Sequence, residues 1–215
     1  TSRSTLYIAY KTGYKSGGFS TPQGGVPGSW NELTPVFGAE TAEGAEIGAK
    51  AELFDRAVKL NLALYRYTFD DLQQTSFNAV TFLYSIRNAA KARTSGVELD
   101  GSWRVSPHVS LRGSVAYNRA KYLNFPLSPC WTGQSAAQGC SGGVQDLSGE
   151  ALARAPRWNL AGGVSYDLPV GSGLMIGLTA DANYTSGYWL QETQNPNAWQ
   201  KGFARIDASA RLYDE

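Results

Sequence analysis

The sequence predicts an all-β chain, an antiparallel transmembrane β-barrel segment of about eight strands. Three observations carry this. Apolar and polar residues alternate with period two, which places successive side chains on opposite faces of a strand. Several runs reach ten residues or more, beyond the roughly 5–6 of ordinary strands and close to the about 9–11 tilted residues that cross a bilayer. The connections alternate between short turns and long loops, the layout of an outer-membrane barrel with short periplasmic turns and long extracellular loops.

Strands are expected near 4–12, 43–54, 57–70, 84–104, 109–122, 157–168, 174–187 and 203–213. In the second, Ile47, Ala49, Ala51 and Leu53 alternate with Glu46, Gly48, Lys50 and Glu52. In the fourth, Val97, Leu99, Gly101 and Trp103 alternate with Glu98, Asp100, Ser102 and Arg104. In the fifth, Val109, Leu111, Gly113, Val115 and Tyr117 oppose Ser110, Arg112, Ser114, Ala116 and Asn118. The seventh sets Leu174, Ile176, Leu178, Ala180, Ala182 and Tyr184 against Gly177, Thr179, Asp181, Asn183 and Thr185. The eighth sets Ala204, Ile206, Ala208, Ala210 and Leu212 against Arg205, Asp207, Ser209 and Arg211. Between the third and fourth, Val80, Phe82, Tyr84 and Ile86 alternate, and the turn falls near 76–83.

The connections Asp55-Arg56, Val105 to His108 and Pro169 to Gly173 are short. Those at 13–42, 119–156 and 188–202 are long and rich in Gly, Pro, Ser and Asn. All nine prolines fall in connections, as ladder hydrogen bonding requires. A soluble sandwich has no reason to sort its loops in this way. Trp103 ends its apolar stripe beside a short turn, and Tyr117 and Tyr184 end theirs beside long loops, where membrane interfaces collect aromatics. The charges Glu46, Lys50, Glu52, Glu98, Asp100, Arg112, Asp181, Arg205, Asp207 and Arg211 take the opposite parity and would line the interior. There they would steer an anionic ligand or pair with charges on neighbouring strands.

Composition agrees. The chain has 215 residues, of which 17% are charged, against about 25% in soluble domains. Its mean hydropathy is −0.30. The net charge of +1 excludes a strongly basic nucleic-acid binder. No apolar run approaches the 18 or more residues of a spanning helix. The opening Thr1-Ser2-Arg3 carries no signal peptide, so the sequence reads as a mature chain or a piece of one.

No motif for an enzyme emerges, and no cofactor or metal site is expected. Ser165 is not in a nucleophile elbow, and His108, the only histidine, follows Pro107 in a short turn. Asp70-Asp71 reads as a solvated strand end rather than a calcium loop. Ser16-Gly17-Gly18 lacks the Lys-Ser/Thr and helix of a phosphate cradle. The sequon Asn183-Tyr184-Thr185 lies inside a strand. Cys130 and Cys140 have no nearby histidine for zinc; a local disulfide is expected, worth about 2–3 kcal/mol in the chain-entropy model, the alternative being two unpaired thiols. Trp30, Phe37, Trp131, Tyr188, Trp189 and Trp199 lie in or beside the long loops. Of these, Trp30, Trp131, Tyr188, Trp189 and Trp199 are the candidate ligand contacts, because aromatic faces bind organic ligands by contact and stacking; packing between loops or on lipopolysaccharide is the other reading.

Several segments resemble the C-terminal barrel region of TonB-dependent outer-membrane receptors. Ala9-Tyr10-Lys11-Thr12-Gly13-Tyr14-Lys15-Ser16-Gly17-Gly18-Phe19 resembles that family's strand running into a Gly-rich loop. Glu40-Thr41 with Glu46-Ile47-Gly48-Ala49-Lys50 resembles its "PET…YEIGLK" start, and Asp70-Asp71-Leu72-Gln73 its "YDDLQ". Asn88-Ala89-Ala90-Lys91-Ala92-Arg93 with Gly96-Val97-Glu98-Leu99-Asp100 resembles "NAGKAR..GVELE". Asp146-Leu147-Ser148-Gly149 with Ala155-Pro156-Arg157-Trp158 resembles "DLSG…AP.W". Five such segments stand in the family's order.

The resemblance implies that 1–215 is the C-terminal part of a larger barrel, twenty-two strands in the family, with the plug domain and the last strands absent. It implies a Gram-negative outer-membrane location and nutrient import driven by TonB, which contacts the missing N-terminal region. Ferric siderophores are the commonest cargo implied; cobalamin, haem, oligosaccharides and small aromatics remain open. Implied partners are TonB, outer-membrane lipid, lipopolysaccharide and the small nutrient ligand, with no nucleic acid. The alternatives are a passive channel or small eight-strand barrel, and a surface adhesin or ligand-binding protein.

Overall fold

A computed structural model describes residues 3–20, 36–78, 83–171 and 173–214. Eight long strands form one antiparallel sheet: β1 (Arg3–Lys15), β2 (Glu40–Leu53), β3 (Val58–Asn78), β4 (Leu83–Arg104), β5 (Val109–Asn124), β6 (Trp158–Gly171), β7 (Leu174–Thr185) and β8 (Phe203–Asp214). Their order in the sheet is their order in the chain, so every connection joins neighbours. No helix among the described residues is long and apolar enough to cross a membrane, which says nothing of strands.

The pairing register places each alternating set on one face. One transverse row runs Ala49, Leu62, Leu99, Val115, Leu160 and Tyr184, each directly opposite the next. The row beside it runs Ala51, Leu60, Gly101, Gly113, Gly162 and Ala182. This apolar face suits hydrocarbon; a charge near its middle would cost about 2–4 kcal/mol. The other face carries the charges and is the lumenal one. Near the long-loop end of the apolar face, the Tyr117 and Trp158 rings pack 4.8 Å apart. Trp103, half-exposed, stands at the other end, so aromatics bracket the apolar band on both sides.

The short turns are tight. At the first, Phe54, Asp55 and Arg56 all have positive φ, and the Ala57 N–H donates to the Phe54 carbonyl at 2.9 Å. At the second, the Ser106 hydroxyl accepts from the backbone N–H groups of His108 and Val109. The third is shorter than the sequence suggests. β6 continues through Pro169, which pairs with Met175 and sits at a register shift just before Gly171. Pro169 is therefore in a strand, not a connection; the end of a ladder at an irregularity is where its missing N–H is tolerated.

The opposite end departs further. β3 does not end at Asp70-Asp71 but runs on to Asn78, and β4 begins at Leu83. Asp71 takes φ of 55°, and the register shifts between Phe69 and Leu72 and again between Leu72 and Gln73. Each extra residue flips the strand's parity. Asp70 is not simply solvated: it holds Lys91 at 2.7 Å. The turn expected near 76–83 lies mostly outside the described residues. The long loops fold too, each as a small two-stranded ribbon: Gly18–Phe19 with Val36–Phe37, Ser128–Pro129 with Val144–Gln145, and Tyr188–Trp189 with Trp199–Gln200.

Candidate ligand face at the long-loop end

The lumenal wall leads up to this end, and its charges are mostly engaged. Arg112 on β5 reaches Asp181 on β7, with Nη2 at 2.5 and 2.7 Å from the two carboxylate oxygens. Gly163 of β6 lies between them in register; a Cβ there would run into both side chains. Two rows toward the short turns, Arg211 on β8 approaches Asp167 on β6 at 3.6 Å across Gly177, and the Tyr213 hydroxyl donates to the same carboxylate. At the other side of the sheet, the Tyr7 and Tyr67 hydroxyls and the Lys11 ammonium converge on Glu46 at 2.7–3.2 Å. The Asn61 amide donates to Asp100. Arg205 differs from expectation: it pairs with Asp207 on its own strand at 3.1 Å, two residues along on the same face.

Above the wall, the β5–β6 loop builds a core of its own. Tyr122, Phe125 and Leu147 are buried with Ala90 and Ala92 of β4, and Phe69, Leu72 and Leu152 pack against them. The Tyr122 and Phe125 rings lie 4.8 Å apart. The chain gets there through local polar closures. Asp146 accepts from the Ser148 N–H at 2.8 Å, while the Ser148 hydroxyl accepts from the Phe125 N–H at 2.9 Å. Gly149, at φ of 88°, takes the conformation glycine tolerates best. Ser148, through its side chain and backbone, holds the exposed Asp146 carboxyl below the usual carboxylate range.

Amide side chains then tie the loops together. The Gln145 amide donates to the carbonyls of Pro129 and Thr193, joining the β5–β6 and β7–β8 loops. Gln194 donates back to the Ala151 carbonyl, and Arg154 donates to the carbonyls of Trp189 and Leu190. On the first loop, Gln73 donates from its amide to the carbonyls of Ser16 and Gly38 and from its backbone N–H to Glu40. Asn88 bridges Gly38 and Asp71. Sequence reasoning did not single out these amides, although Gln73, Asn88 and Ser148 sit inside the quoted motifs.

The aromatic candidates divide among the loops. Trp189 and Trp199 pack edge-on at 4.8 Å, paired across the β7–β8 ribbon; Trp199 stays 44% exposed. Tyr188 is half-buried opposite Gln200 in the same ribbon. Trp131 is half-buried in the β5–β6 loop, where its backbone N–H donates to the Gln134 side chain. Cys130 and Cys140 are joined as a disulfide around this Trp131 segment. Trp30 lies outside the described residues. Phe37 belongs to the ribbon of the first loop. No group of three or more His, Cys, Asp or Glu that could hold a metal occurs among the described residues. The face therefore offers ring edges, amides and carbonyls, which bind by contact and hydrogen bonding.

Residues 1–214 match the family described as TonB dependent receptor-like, beta-barrel. The ferric yersiniabactin uptake receptor FyuA from Yersinia pestis is similar over 96% of this chain and 27% of its own, with 19% identity and a TM-score of 0.70. BauA, the ferric preacinetobactin receptor from Acinetobacter baumannii, is similar over 99% of this chain and 27% of its own, with 17% identity and a TM-score of 0.65. The copper transporter OprC is similar over 96% of this chain and 28% of its own, with 14% identity and a TM-score of 0.61. The chain thus spans about a quarter of the length of these structures. No curated protein sequence matches.

Proposed function

The chain belongs to the TonB-dependent receptor β-barrel family, whose members are outer-membrane proteins, and from that premise we propose that it forms the C-terminal part of a receptor that imports a ferric siderophore. In this reading TonB, engaged by a part of the receptor outside 1–215, supplies the energy. The observation that carries the proposal is the tied pair of long loops. The β5–β6 and β7–β8 loops are cross-linked by Gln145, Gln194 and Arg154, and they hold the Trp189–Trp199 pair with one ring half-exposed. Such an aromatic, amide-rich rim meets a large organic chelate by contact without chemical reaction. The siderophore receptors among the similar structures support this cargo; OprC, named for copper, has the same fold.

The two edges of the sheet support a larger barrel. On β1, Leu6 and Ile8 are both 81% exposed, and on β8 Ile206 is 76% exposed. Unpaired backbone in hydrocarbon is not tolerated, so further strands of the receptor are expected to pair with β1 and β8.

The test is uptake of radiolabelled ferric siderophores by cells carrying the full-length receptor, with and without functional TonB, under iron limitation. TonB-dependent uptake of one of them is the expected result. Uptake that persists without TonB would instead identify a passive channel, and binding without uptake an adhesin or surface binding protein. Replacing Trp199 by Ala is expected to weaken ligand binding by about tenfold, the scale of an aromatic contact of roughly 1.5 kcal/mol.

A further inference from the structure

The apolar face changes character above the Tyr117–Trp158 pair. Two residues beyond Tyr117 on β5 is Arg119, and two further is Lys121. Arg119 lies opposite Ser95 of β4, which lies opposite Arg66 of β3. Lys121 lies opposite Arg93, which lies opposite Thr68. The period-two register is unbroken between these positions and the Leu64, Val97 and Val115 rows below, so all four cations share the membrane-facing side. Arg66 and Arg119 are exposed; Arg93 and Lys121 are half-buried.

Among the described residues, no partner neutralises them. At this end of that face, the strand carboxylates Glu43 and Asp70 are already engaged: Glu43 accepts from the Tyr10 hydroxyl at 2.9 Å, and Asp70 holds Lys91 at 2.7 Å. Among the described residues, none of the four cations has an ion pair or a side-chain hydrogen bond, and Arg93 Nε is buried without a partner. This is the reverse of the lumenal face, where arginines find carboxylates.

A second observation lies on two of these three strands, β4 and β5, at the glycines of the apolar face. Around Gly101 and Gly113 the face has a hollow of about 390 Å³, walled by Leu60, Leu99, Trp103, Leu111 and Val115. Gly113 is six residues from Arg119, roughly 20 Å along the strand. At a barrel strand's tilt of about 40° this is some 15 Å of depth, half of the ~30 Å hydrocarbon core. The hollow therefore lies where an acyl chain from the outer leaflet ends.

Resting on the outer-membrane reading above, we propose that Arg66, Arg93, Arg119 and Lys121 bind the phosphates of an outer-leaflet glycolipid of the lipid A class, one of whose acyl chains occupies the Gly101–Gly113 hollow. The chemistry fits at both ends. Guanidinium groups bind phosphate bidentately, and two strand spacings separate Arg66 from Arg119 by about 10 Å, room for a headgroup with more than one phosphate. The exposed lining of the hollow is mainly apolar, which suits a hydrocarbon chain.

The test uses the intact receptor, stripped of lipid in neutral detergent and titrated with diphosphoryl lipid A, with bound lipid read by native mass spectrometry. A retained lipid is expected, and lipid A with both phosphates removed is expected to bind at least about tenfold more weakly. R66Q/R93Q/R119Q/K121Q, its fold checked by heat-modifiable gel mobility, is expected to show the same loss. Gly113→Leu, which fills the hollow, is expected to weaken the diphosphoryl form with the headgroup site intact. Equal binding of the two lipids to the unaltered protein would overturn the proposal without any variant having to fold. Displacement by millimolar inorganic phosphate would also overturn it, marking a free-anion site. Ferric siderophore uptake by the same cells reports on the receptor reading separately, since lipid affinity and cargo import are read on different ligands.

Discussion

In the wall, Arg112 reaches Asp181 across the bare backbone of Gly163. In the cap, Tyr122, Phe125 and Leu147 close into a buried core fastened by Ser148 and Gln145. The wall has hydrocarbon on one side and water on the other, so it needs no core; its ladders and the sorting of its two faces are enough. The cap stands in water and needs what any small soluble fold needs, buried apolar surface and satisfied backbone groups. One chain thus uses two rules of stability, and the boundary between them falls near Tyr117 and Trp158.

That contrast sets the expected effects. Phe125→Ala should be the largest, about 3–5 kcal/mol, and confined to the cap: limited proteolysis of the β5–β6 loop should rise sharply while the barrel keeps its heat-modifiable mobility. A barrel that unfolds as a whole would erase the distinction. Leu99→Arg should cost about 2–4 kcal/mol in the wall, whereas Asp100→Asn, one residue away on the other face, should cost under about 1 kcal/mol. Comparable losses of folded receptor would reject the assignment of faces. Reducing the Cys130–Cys140 bond should loosen the Trp131 segment by about 2–3 kcal/mol, seen as faster hydrogen exchange there and no change in β4.

Smaller again, Gly163→Ala should cost about 1–3 kcal/mol through overpacking, because its Cβ would displace the Arg112–Asp181 pair. Gly162→Ala, where no atom lies within 4 Å of the new Cβ, should stay within about 0.5 kcal/mol. Denaturant midpoints in detergent measure both. The smallest effect is a pH response at Asp146. Its carboxyl is held below the usual range, so its contribution is complete at neutral pH and fades as pH falls through that lowered value. Protection of the Ser148 N–H should fall in acid, and Asp146→Asn should flatten the response.

The same boundary decides what could be read from sequence. All eight strands and the sorting of faces follow from period two, because a wall between two solvents must alternate. The reading stops at Asp71, where a positive φ and two register shifts let both Phe69 and Leu72, of opposite parity, pack on the cap core. Alternation cannot show that. The amide ties are equally silent, since Gln73 and Gln145 meet backbone carbonyls 35–57 and 16–48 residues away. The motifs did carry part of the information: Gln73, Asn88 and Ser148 lie within them and serve as fasteners of the rim. The paired Trp189 and Trp199 lie outside those motifs.

The glycines beneath the lumenal ion pairs have a consequence for anything that travels along the inside. At Gly163 and Gly177 the wall is one backbone thick, and the charged groups lie flat across it with their attractions spent on each other. Neither glycine adds a side chain to the lumenal face, so a charge placed there meets a paired dipole instead of a lone ion. In the receptor proposed above, such a surface would be a low-friction lining that gives a ligand few places to stall.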